Sequence, residues 1–330
     1  MKKLRSSLPI ITVLVIVLAL FTGCTQTKST GGKTDFPTKQ LTLVVPYSPG
    51  GASDTVARIF AQELEKSLGK PVIVTNKTGA SGAVGLEFVK NSTADGYTIA
   101  YMPVESTMIS ALGLTDLTSN DFAFFARAMT IPASVTVRKD AKWNTLEEFL
   151  TDAKANPGKI LVGNSGTGSI WHISAALLEQ ANDSKFTHVP FEGGAPAVAA
   201  LMGGNIDAVT VSPSEVKAGV DGGEFKVLAV LGEERSSIIP DVHTAKEQGI
   251  DVVAQAWGSF AVPKDTPEEV VEILEEAAKT AINSDAVKKL LAERGFEFAY
   301  LPGAEMDAIA KKQLEMYAEL IPKLGIAQKK

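Results

Sequence analysis

Two loops that combine glycines with small hydroxyl residues are the parts of the sequence best suited to hold a ligand. The first, YSPGGASD at residues 47–54, follows an apolar stretch typical of a buried strand and precedes a helical pattern that begins near Ser53. Gly50 and Gly51 permit close backbone approach, so the unpaired N–H groups of that helix would face a ligand. These donors and the helix dipole can bind an anion without a basic side chain. An ordinary strand-to-helix turn is the alternative.

The second loop, GNSGTGS at residues 163–169, repeats this arrangement, and Trp171 and His172 fall in the helical pattern behind it. If the two loops face each other across a cleft, they could hold both ends of a dicarboxylate. The first loop lacks the Lys of a phosphate-binding loop, and the second lacks the final glycine of G-x-S-x-G. A hydrolytic triad of Ser165, His172 and Asp207 is the catalytic alternative, although a His on a helix more often forms a structural hydrogen bond.

Side chains near and beyond these loops add further candidate contacts. Asp54 and Arg58 are four residues apart, which suits an ion pair on a helix, but Asp54 could instead accept hydrogen bonds from a ligand or from water. Trp257 could pack on the carbon chain of a ligand or belong to the core or a hinge. His188 and His243 have no metal-ligand spacing, so we expect neither a metal nor a cofactor.

Composition places the chain among globular proteins. It has 330 residues, of which 45% are hydrophobic and 21% charged, enough for one large or two medium domains. The formal net charge is −6, and it falls to −9 without the first 23 residues, which contain Lys2, Lys3 and Arg5 and no acid. A body this acidic has no electrostatic footprint for nucleic acid, so we expect no nucleic-acid partner.

Residues 1–24 have the pattern of an export signal. A basic start precedes the apolar run LPIITVLVIVLALF at residues 8–21, which is shorter than the roughly 20 residues of a membrane-spanning helix. Cys24 is the only cysteine in the sequence and follows this run, an arrangement that resembles the lipidation site of bacterial lipoproteins. A simple signal peptide with an incidental Cys is the alternative. Residues 25–35 form a polar tether without an apolar period.

Strand and helix patterns alternate along the rest of the chain, which predicts an α/β protein with doubly wound parallel sheets. Strand patterns occur at residues 41–46, 71–76, 98–102, 122–137, 160–163, 187–191, 206–211, 226–231 and 251–262. Capping boxes at Thr145 and Thr266 mark two helix starts, and a last helix is expected at residues 304–321, with no strand near the C-terminus. The stretches 122–137 and 251–262 are the expected crossings between two lobes.

Three blocks of the sequence, which include VVPYSPGGASDTVAR, GNSGTGSIWHISAALLE and RSSIIPDVHTAKEQGID, follow one another along the chain. Together they resemble the substrate-binding proteins of tripartite tricarboxylate transporters, the Bug-type extracytoplasmic solute receptors. The resemblance implies a fold like that of type II periplasmic binding proteins, with two doubly wound lobes joined by a two-strand hinge. It places lobe 1 at residues 36–136 and 255–330 and lobe 2 at residues 137–254.

The same resemblance implies a receptor, not an enzyme, that binds a small organic carboxylate and passes it to the membrane permease subunits of a tripartite transporter. In this family backbone amides and waters, rather than Arg, hold the carboxylate between two closing lobes. Carried over to this sequence, the ligand-binding residues are Tyr47, Ser48, Gly50, Gly51, Ser53, Asp54, Ser165, Gly166, Thr167, Gly168, Ser169 and His172, with Asp207 and Trp257 at the rim or hinge.

The resemblance also sets the expected location of the protein. We expect a monomer that is anchored through Cys24 at the outer face of the cell membrane, or a periplasmic protein. A ligand-sensing receptor for a signalling partner is one alternative to the transport function. A secreted hydrolase that uses Ser165 and His172 is the other.

Overall fold

Two mixed β-sheets covered by helices form the framework of the protein. The computed structural model describes residues 35–47, 49–191 and 193–327. The predictions for the export signal, for Cys24 and for Ser48 therefore lie outside the described residues. Within those ranges, no helix combines the length and the apolar content needed to span a membrane.

The regular elements alternate along the chain much as the sequence pattern predicts. The strands are β1 (Leu41–Val45), β2 (Val72–Asn76), β3 (Thr98–Pro103), β4 (Phe122–Pro132), β5 (Ser134–Arg138), β6 (Leu161–Asn164), β7 (Thr187–Pro190), β8 (Ala208–Val211), β9 (Phe225–Val230), β10 (Gln255–Pro263) and β11 (Glu297–Pro302). The helices are α1 (Ala52–Leu68), α2 (Ala83–Lys90), α3 (Leu146–Ala155), α4 (Ile170–Asn182), α5 (Gly194–Met202), α6 (Pro213–Asp221), α7 (Glu268–Ile282), α8 (Asp285–Glu293) and α9 (Gly303–Leu324).

The first sheet has the strand order β11-β4-β10-β3-β1-β2, and the second has the order β7-β6-β8-β5-β9. In the first sheet β1 pairs in parallel with β2 and β3, whereas β10 and β11 are antiparallel to their neighbours. In the second sheet β6 is parallel to β7 and β8, whereas β5 is antiparallel to β8 and β9. The predicted parallel pairing is therefore confirmed within the βαβ units, whereas the strands that pass between the sheets run antiparallel to them and make both sheets mixed.

Helix α1 packs its apolar stripe against the first sheet. Val56, Phe60 and Leu64 are fully buried, and their spacing of four residues places them on one face of the helix. The ring of Phe60 stacks on that of Phe260 in β10, with the ring centroids 3.6 Å apart. The N-terminus of α1 consequently lies at the carboxyl end of β1, the edge of a parallel sheet at which ligands collect.

The chain passes between the two sheets twice, and the two passages lie side by side. It leaves the first sheet between β4 and β5, where the backbone N–H of Ala133 donates to the carbonyl of Ala254 at 2.9 Å. The return passage enters β10 at Gln255, which pairs with Pro132. The N–H of Leu231 also donates to the carbonyl of Ala133, at 2.7 Å. Direct backbone hydrogen bonds therefore join the segments that connect the sheets.

The structure contains elements that the sequence pattern does not predict. Strand β11 pairs with β4 despite the expectation of no strand near the C-terminus, and α6 and α8 add helices. As an edge strand with exposed Phe298 and a register shift, β11 lacks the continuous apolar run of a buried strand. The capping box at Thr266 is also wrong. The Thr266 hydroxyl donates to the Pro263 carbonyl, and Pro267 itself occupies the N-cap of α7.

Replacement of Phe260 with alanine should strongly destabilise the first sheet. Phe260 is fully buried and contacts Phe60, Tyr101 and Phe125. Removal of such a ring from a packed core lowers the free energy of unfolding by about 3–5 kcal/mol. Urea unfolding of the Phe260→Ala variant measures this loss. In the control, Phe88→Ala, the ring is 46% exposed, so the loss should stay below about 1 kcal/mol. Equal losses in both variants would contradict the stated packing role.

Candidate functional site

A cavity of about 420 Å³ lies between the two sheets at the ends of their helices. The residues that line it are Gly50, Gly51, Ala52, Thr55, Ile131, Trp171, Ser212, Ser214, Glu215, Glu293, Arg294 and Phe296. The first four belong to the first predicted loop and the start of α1, whereas Trp171 and the serines come from helix starts of the second sheet. The cavity is therefore bounded by the first glycine loop on one side and by helix starts of the second sheet on the other.

A larger depression of about 730 Å³ occurs on the outer flank of the first sheet. Its walls include Lys39, Val84, Phe88 and Thr98, and no residue of the predicted site. Thr98 begins β3, so this depression lies at the amino end of that strand. Ligands in α/β proteins collect at the opposite, carboxyl ends of parallel strands, which makes the cavity between the sheets the candidate site.

The N-terminus of α1 opens onto this cavity without a side-chain cap. Gly51 is the N-cap residue, and no side chain among the described residues caps the helix there. Gly50 before it has φ +84°, a left-handed conformation that glycine adopts without strain. The first N–H groups of a helix lack partners within the helix and carry its positive dipole end. This end of α1 therefore has the N–H donors that a carboxylate could accept from.

Asp54 stabilises the first loop through hydrogen bonds. Its carboxylate accepts hydrogen bonds from the N–H of Gly50 at 2.8 Å, from Arg58 Nε at 2.9 Å and from Asn76 Nδ2 at 2.9 Å. Burial opposes ionisation, but these hydrogen bonds outweigh it and hold the pKa of Asp54 below its ordinary value. Of the two interpretations of Asp54, the ion pair with Arg58 is the one found. Both carboxylate oxygens are engaged, so Asp54 positions the loop.

Tyr47 lies beside a carboxylate that the sequence analysis missed. Glu105 lies in a short 3₁₀ turn (Val104–Thr107) directly after β3. Its carboxylate accepts hydrogen bonds from the Tyr47 hydroxyl and from the backbone N–H of Ile170, the first residue of α4. The Ser53 hydroxyl forms a hydrogen bond with the Tyr101 hydroxyl. The charge of Glu105 also raises the pKa of Tyr101. The only sequence signal for Glu105 is its position just beyond a strand end.

Burial is the main cause of the pKa shifts of Glu105 and Tyr47. Desolvation raises the pKa of Glu105 above its ordinary value, and the hydrogen bonds that it accepts only partly offset this effect. Burial and then the nearby Glu105 raise the pKa of the Tyr47 hydroxyl well above its usual range. The side chains of Glu105 and Tyr47 are nevertheless half-buried rather than sealed.

Several backbone N–H groups of the second glycine loop already donate to acceptors within the loop or in the helix behind it. The N–H of Gly166 donates to Asn164 Oδ1 at 3.0 Å, and the N–H of Gly168 donates to His172 Nδ1 at 3.0 Å. The N–H of Ser169 donates to the carbonyl of Gly166 at 3.1 Å. These three predicted ligand donors therefore already have partners, whereas the side chains of Ser165 and Thr167 in the same loop remain accessible.

His172 holds this loop in place. The side chain is 5% exposed, and its ring centroid lies 4.5 Å from that of His188. Burial and, secondarily, His188 lower the pKa of His172 to about 4. The neutral ring is therefore the form that accepts the hydrogen bond from Gly168. His172 is a positioning residue for the second loop.

Asp207 does not lie at the rim of the site, and of the alternatives left open for Trp257 the core position is the one found. Asp207 Oδ2 accepts a hydrogen bond from the N–H of Leu161 at 2.8 Å, which puts it at the amino end of β6, opposite the glycine loop. The triad of Ser165, His172 and Asp207 is consequently not assembled. Trp257 is 3% exposed, and its Nε1 donates to Gln313 Oε1 at 2.8 Å. It is a core residue, because β10 runs through the middle of the first sheet.

Ser212 and Glu215 form a wall of the cavity that sequence reasoning also missed. They make a capping box at the start of α6, in which the N–H and Oγ of Ser212 lie 2.9 and 2.7 Å from Glu215 Oε2. The pattern S-x-x-E, followed here by apolar positions, is the signal that could have revealed them. Only glycine fits at position 194, the first residue of α5, because a side chain on Gly194 would collide with the Glu215 carboxylate. Among the described lining residues, exposed Arg294 is the one basic side chain.

Comparison with known proteins gives a consistent result along the chain. A family model described as the tripartite tricarboxylate transporter family receptor matches residues 56–326. Protein BugT of Bordetella pertussis is 28% identical over 86% of this chain and 89% of its own length. The crystal structure of a TctC solute binding protein from Polaromonas, without ligand, is 40% identical with a TM-score of 0.78 and covers 87% of this chain and 99% of its own.

Two similar structures contain a bound acid. MatC from Rhodopseudomonas palustris with malate is 26% identical, with a TM-score of 0.73, and covers 87% of this chain and 100% of its own. Another R. palustris protein, with adipate, is 25% identical, with a TM-score of 0.75, and covers 89% of this chain and 99% of its own. These likenesses confirm the predicted α/β fold class of periplasmic binding proteins.

The pKa of His172 predicts an acid-sensitive loop. An unfolded chain protonates His near its ordinary pKa of about 6.5, whereas the folded protein resists protonation down to about 4. Stability is therefore lost as the pH falls through this interval, by roughly 3 kcal/mol at pH 4. In the His172→Asn variant, Oδ1 can replace Nδ1 as the acceptor for Gly168 without titrating. Urea unfolding between pH 7 and 4 should show the extra loss only in the wild type, and parallel profiles would contradict it.

Proposed function

Because the chain belongs to the tripartite tricarboxylate transporter receptor family, we propose that it is an extracytoplasmic receptor that captures a small organic carboxylate and delivers it to a membrane permease. The observation that carries this proposal is the N-terminus of α1 at Gly51, which no described side chain caps and which faces a cavity between two sheets. Relatives of the same fold contain malate and adipate. A carboxylate placed against the first N–H groups of α1 would meet their donors and the positive end of the helix dipole.

The mechanism that we propose is closure of two lobes on the ligand. Lobe 1 would comprise residues 36–136 and 255–330, lobe 2 would comprise residues 137–254, and the adjacent passages at Ala133 and Ala254 would form the hinge. A ligand that contacts both lobes stabilises the closed arrangement, by no more than its difference in affinity between the closed and open states. The permease would then distinguish the closed receptor from the open one.

The receptor would carry out no bond chemistry. The neutral His172 ring accepts a hydrogen bond from the second loop through Nδ1, and Asp207 hydrogen-bonds at the other end of β6. Neither group is therefore arranged to activate Ser165 as a nucleophile. Binding and release of the ligand account for the arrangement of the site.

Attachment to the membrane would follow from Cys24 and the polar tether. An acylated Cys24 would hold the receptor at the membrane surface, and the 11 residues of the segment 25–35 would reach at most about 40 Å when extended. That reach would keep the site close to its permease while the receptor reorients.

Replacement of Gly51 with valine should weaken carboxylate binding at least tenfold, because the added methyl groups would occupy the space in front of the α1 N–H groups. Isothermal titration with malate and adipate measures the loss. Gly222→Val is a matched control, since Gly222 is also an exposed glycine at a helix end, with φ −73° against −74° at Gly51, but lies at the far end of α6. Unchanged affinity in Gly51→Val would show that the site lies elsewhere. Failure of the wild type to bind any small carboxylate would refute the receptor function.

A Cys24→Ser variant tests the membrane anchor. Expressed in a bacterium with its export signal intact, the wild type should sediment with the membranes and carry an acyl modification detectable by mass spectrometry. The variant should move to the soluble extracytoplasmic fraction, because no thiol remains to be acylated. The same distribution for both proteins would instead indicate a simple signal peptide.

A further inference from the structure

The candidate cavity is bordered by an arginine that has no partner among the described residues. The side chain of Arg294 forms no hydrogen bond or ion pair within the described ranges. The other four arginines of those ranges bond to the protein itself: Arg58 to Asp54, Arg127 to the carbonyl of Ala299, Arg138 to Asp140 and Arg235 to Glu247. A guanidinium without a partner can offer a carboxylate two parallel, charge-assisted hydrogen bonds.

The two acids that border the same cavity have other partners. Glu293 Oε1 lies 3.8 Å from Lys289 Nζ, and Glu215 Oε2 accepts hydrogen bonds from the N–H and the hydroxyl of Ser212. Arg294 is therefore available to an anion that enters the cavity. A ligand with a second carboxylate would bring that group toward Glu215 or Glu293 and would meet a like charge there.

Three large apolar side chains also border the cavity. Ile131 lies in β4, and Phe296 directly precedes β11. Because Glu297 pairs with Thr130 in antiparallel register, Phe296 comes next to Ile131 on the neighbouring strand. Trp171, in the first turn of α4, borders the cavity from the side of the second sheet. All three side chains are buried, so they form a fixed apolar wall rather than a mobile surface.

The size and the wall of the cavity favour a ligand with a hydrocarbon body. A volume of about 420 Å³ falls within the range of about 300–1,000 Å³ that is typical of sites for small organic molecules. A hydroxyl or carboxylate placed against Ile131, Trp171 and Phe296 would lose water without gaining a hydrogen-bond partner from these side chains. An aromatic ring placed there would instead bury apolar area and could pack against the two aromatic side chains.

We propose that Arg294 binds the carboxylate of the ligand and that Ile131, Trp171 and Phe296 bind its hydrocarbon body, so that this receptor prefers aromatic monocarboxylic acids to short dicarboxylic or hydroxylated acids. The carboxylate pairs with the guanidinium, and the ring lies against the apolar wall. Each contact uses a group that borders the cavity and, in the case of Arg294, one that no described residue engages. This inference names the ligand class of the proposed receptor and rests on that function.

Matched ligands test the inference. Isothermal titration of the full chain compares 3-phenylpropionate with its uncharged amide, with malate and with adipate. The wild type should bind 3-phenylpropionate at least tenfold tighter than each of the other three compounds. The Arg294→Gln variant removes the charge and should weaken binding of 3-phenylpropionate at least fivefold, while binding of the amide stays within about twofold. Phe296→Leu should weaken 3-phenylpropionate more than malate, because only the former places a ring on the apolar wall.

Lys288→Gln is the control, because Lys288 is an exposed cation of the same helix α8 but does not border the cavity. It makes the same change in net charge and should leave every affinity within about twofold of the wild type. Thermal unfolding verifies that the variants are folded. A preference for 3-phenylpropionate below tenfold in the wild type, or an unchanged affinity in Arg294→Gln, would overturn the inference. Binding of malate or adipate would then leave the receptor function standing. If none of the three acids bound the wild type, the receptor function would fail as well.

Discussion

The start of α1 is the feature on which the rest of the site depends. Its N–H groups point at the cavity only because Gly50 turns the chain through a left-handed conformation and Asp54 holds that turn from behind. Asp54 in turn is tied to Arg58 and Asn76, so the loop is fixed to both α1 and β2. A backbone anion site works best when its dipoles are already oriented before the ligand arrives, because no free energy is then spent on ordering them.

The two glycine loops look alike in sequence but differ in structure. Both follow a strand and precede a helix, yet in the second loop Asn164 and His172 bond to the N–H groups of Gly166 and Gly168. At the start of α4 the Ser169 hydroxyl accepts a hydrogen bond from the N–H of His172. One helix start is therefore left open to a ligand, whereas the other is engaged by the protein. This difference leaves the two helix starts unequal in the backbone N–H groups that they can offer to an anion.

The closeness of the two passages between the sheets gives the site its geometry. The hydrogen bonds of Ala133 to Ala254 and Leu231 place the connections at one side of the gap, so that the helix starts of both sheets face each other. The side chain of Leu112, from the first sheet's side, lies next to Gly168 in the second loop. Contacts of this kind join parts of the chain that lie more than 50 residues apart.

The sequence by itself determined the features that arise from neighbouring residues: the βαβ alternation, the start of α1 after Gly51, and the Thr145 cap of α3, whose side chain accepts from the N–H of Glu148. These follow from periodicity, glycine conformations and capping, which act over a few residues. Only the tertiary structure decided the pairing of β11 and the partners of Glu105, Asp207 and Trp257. Those outcomes depend on which distant residues come into contact when the sheets assemble, and a local sequence pattern does not specify such contacts.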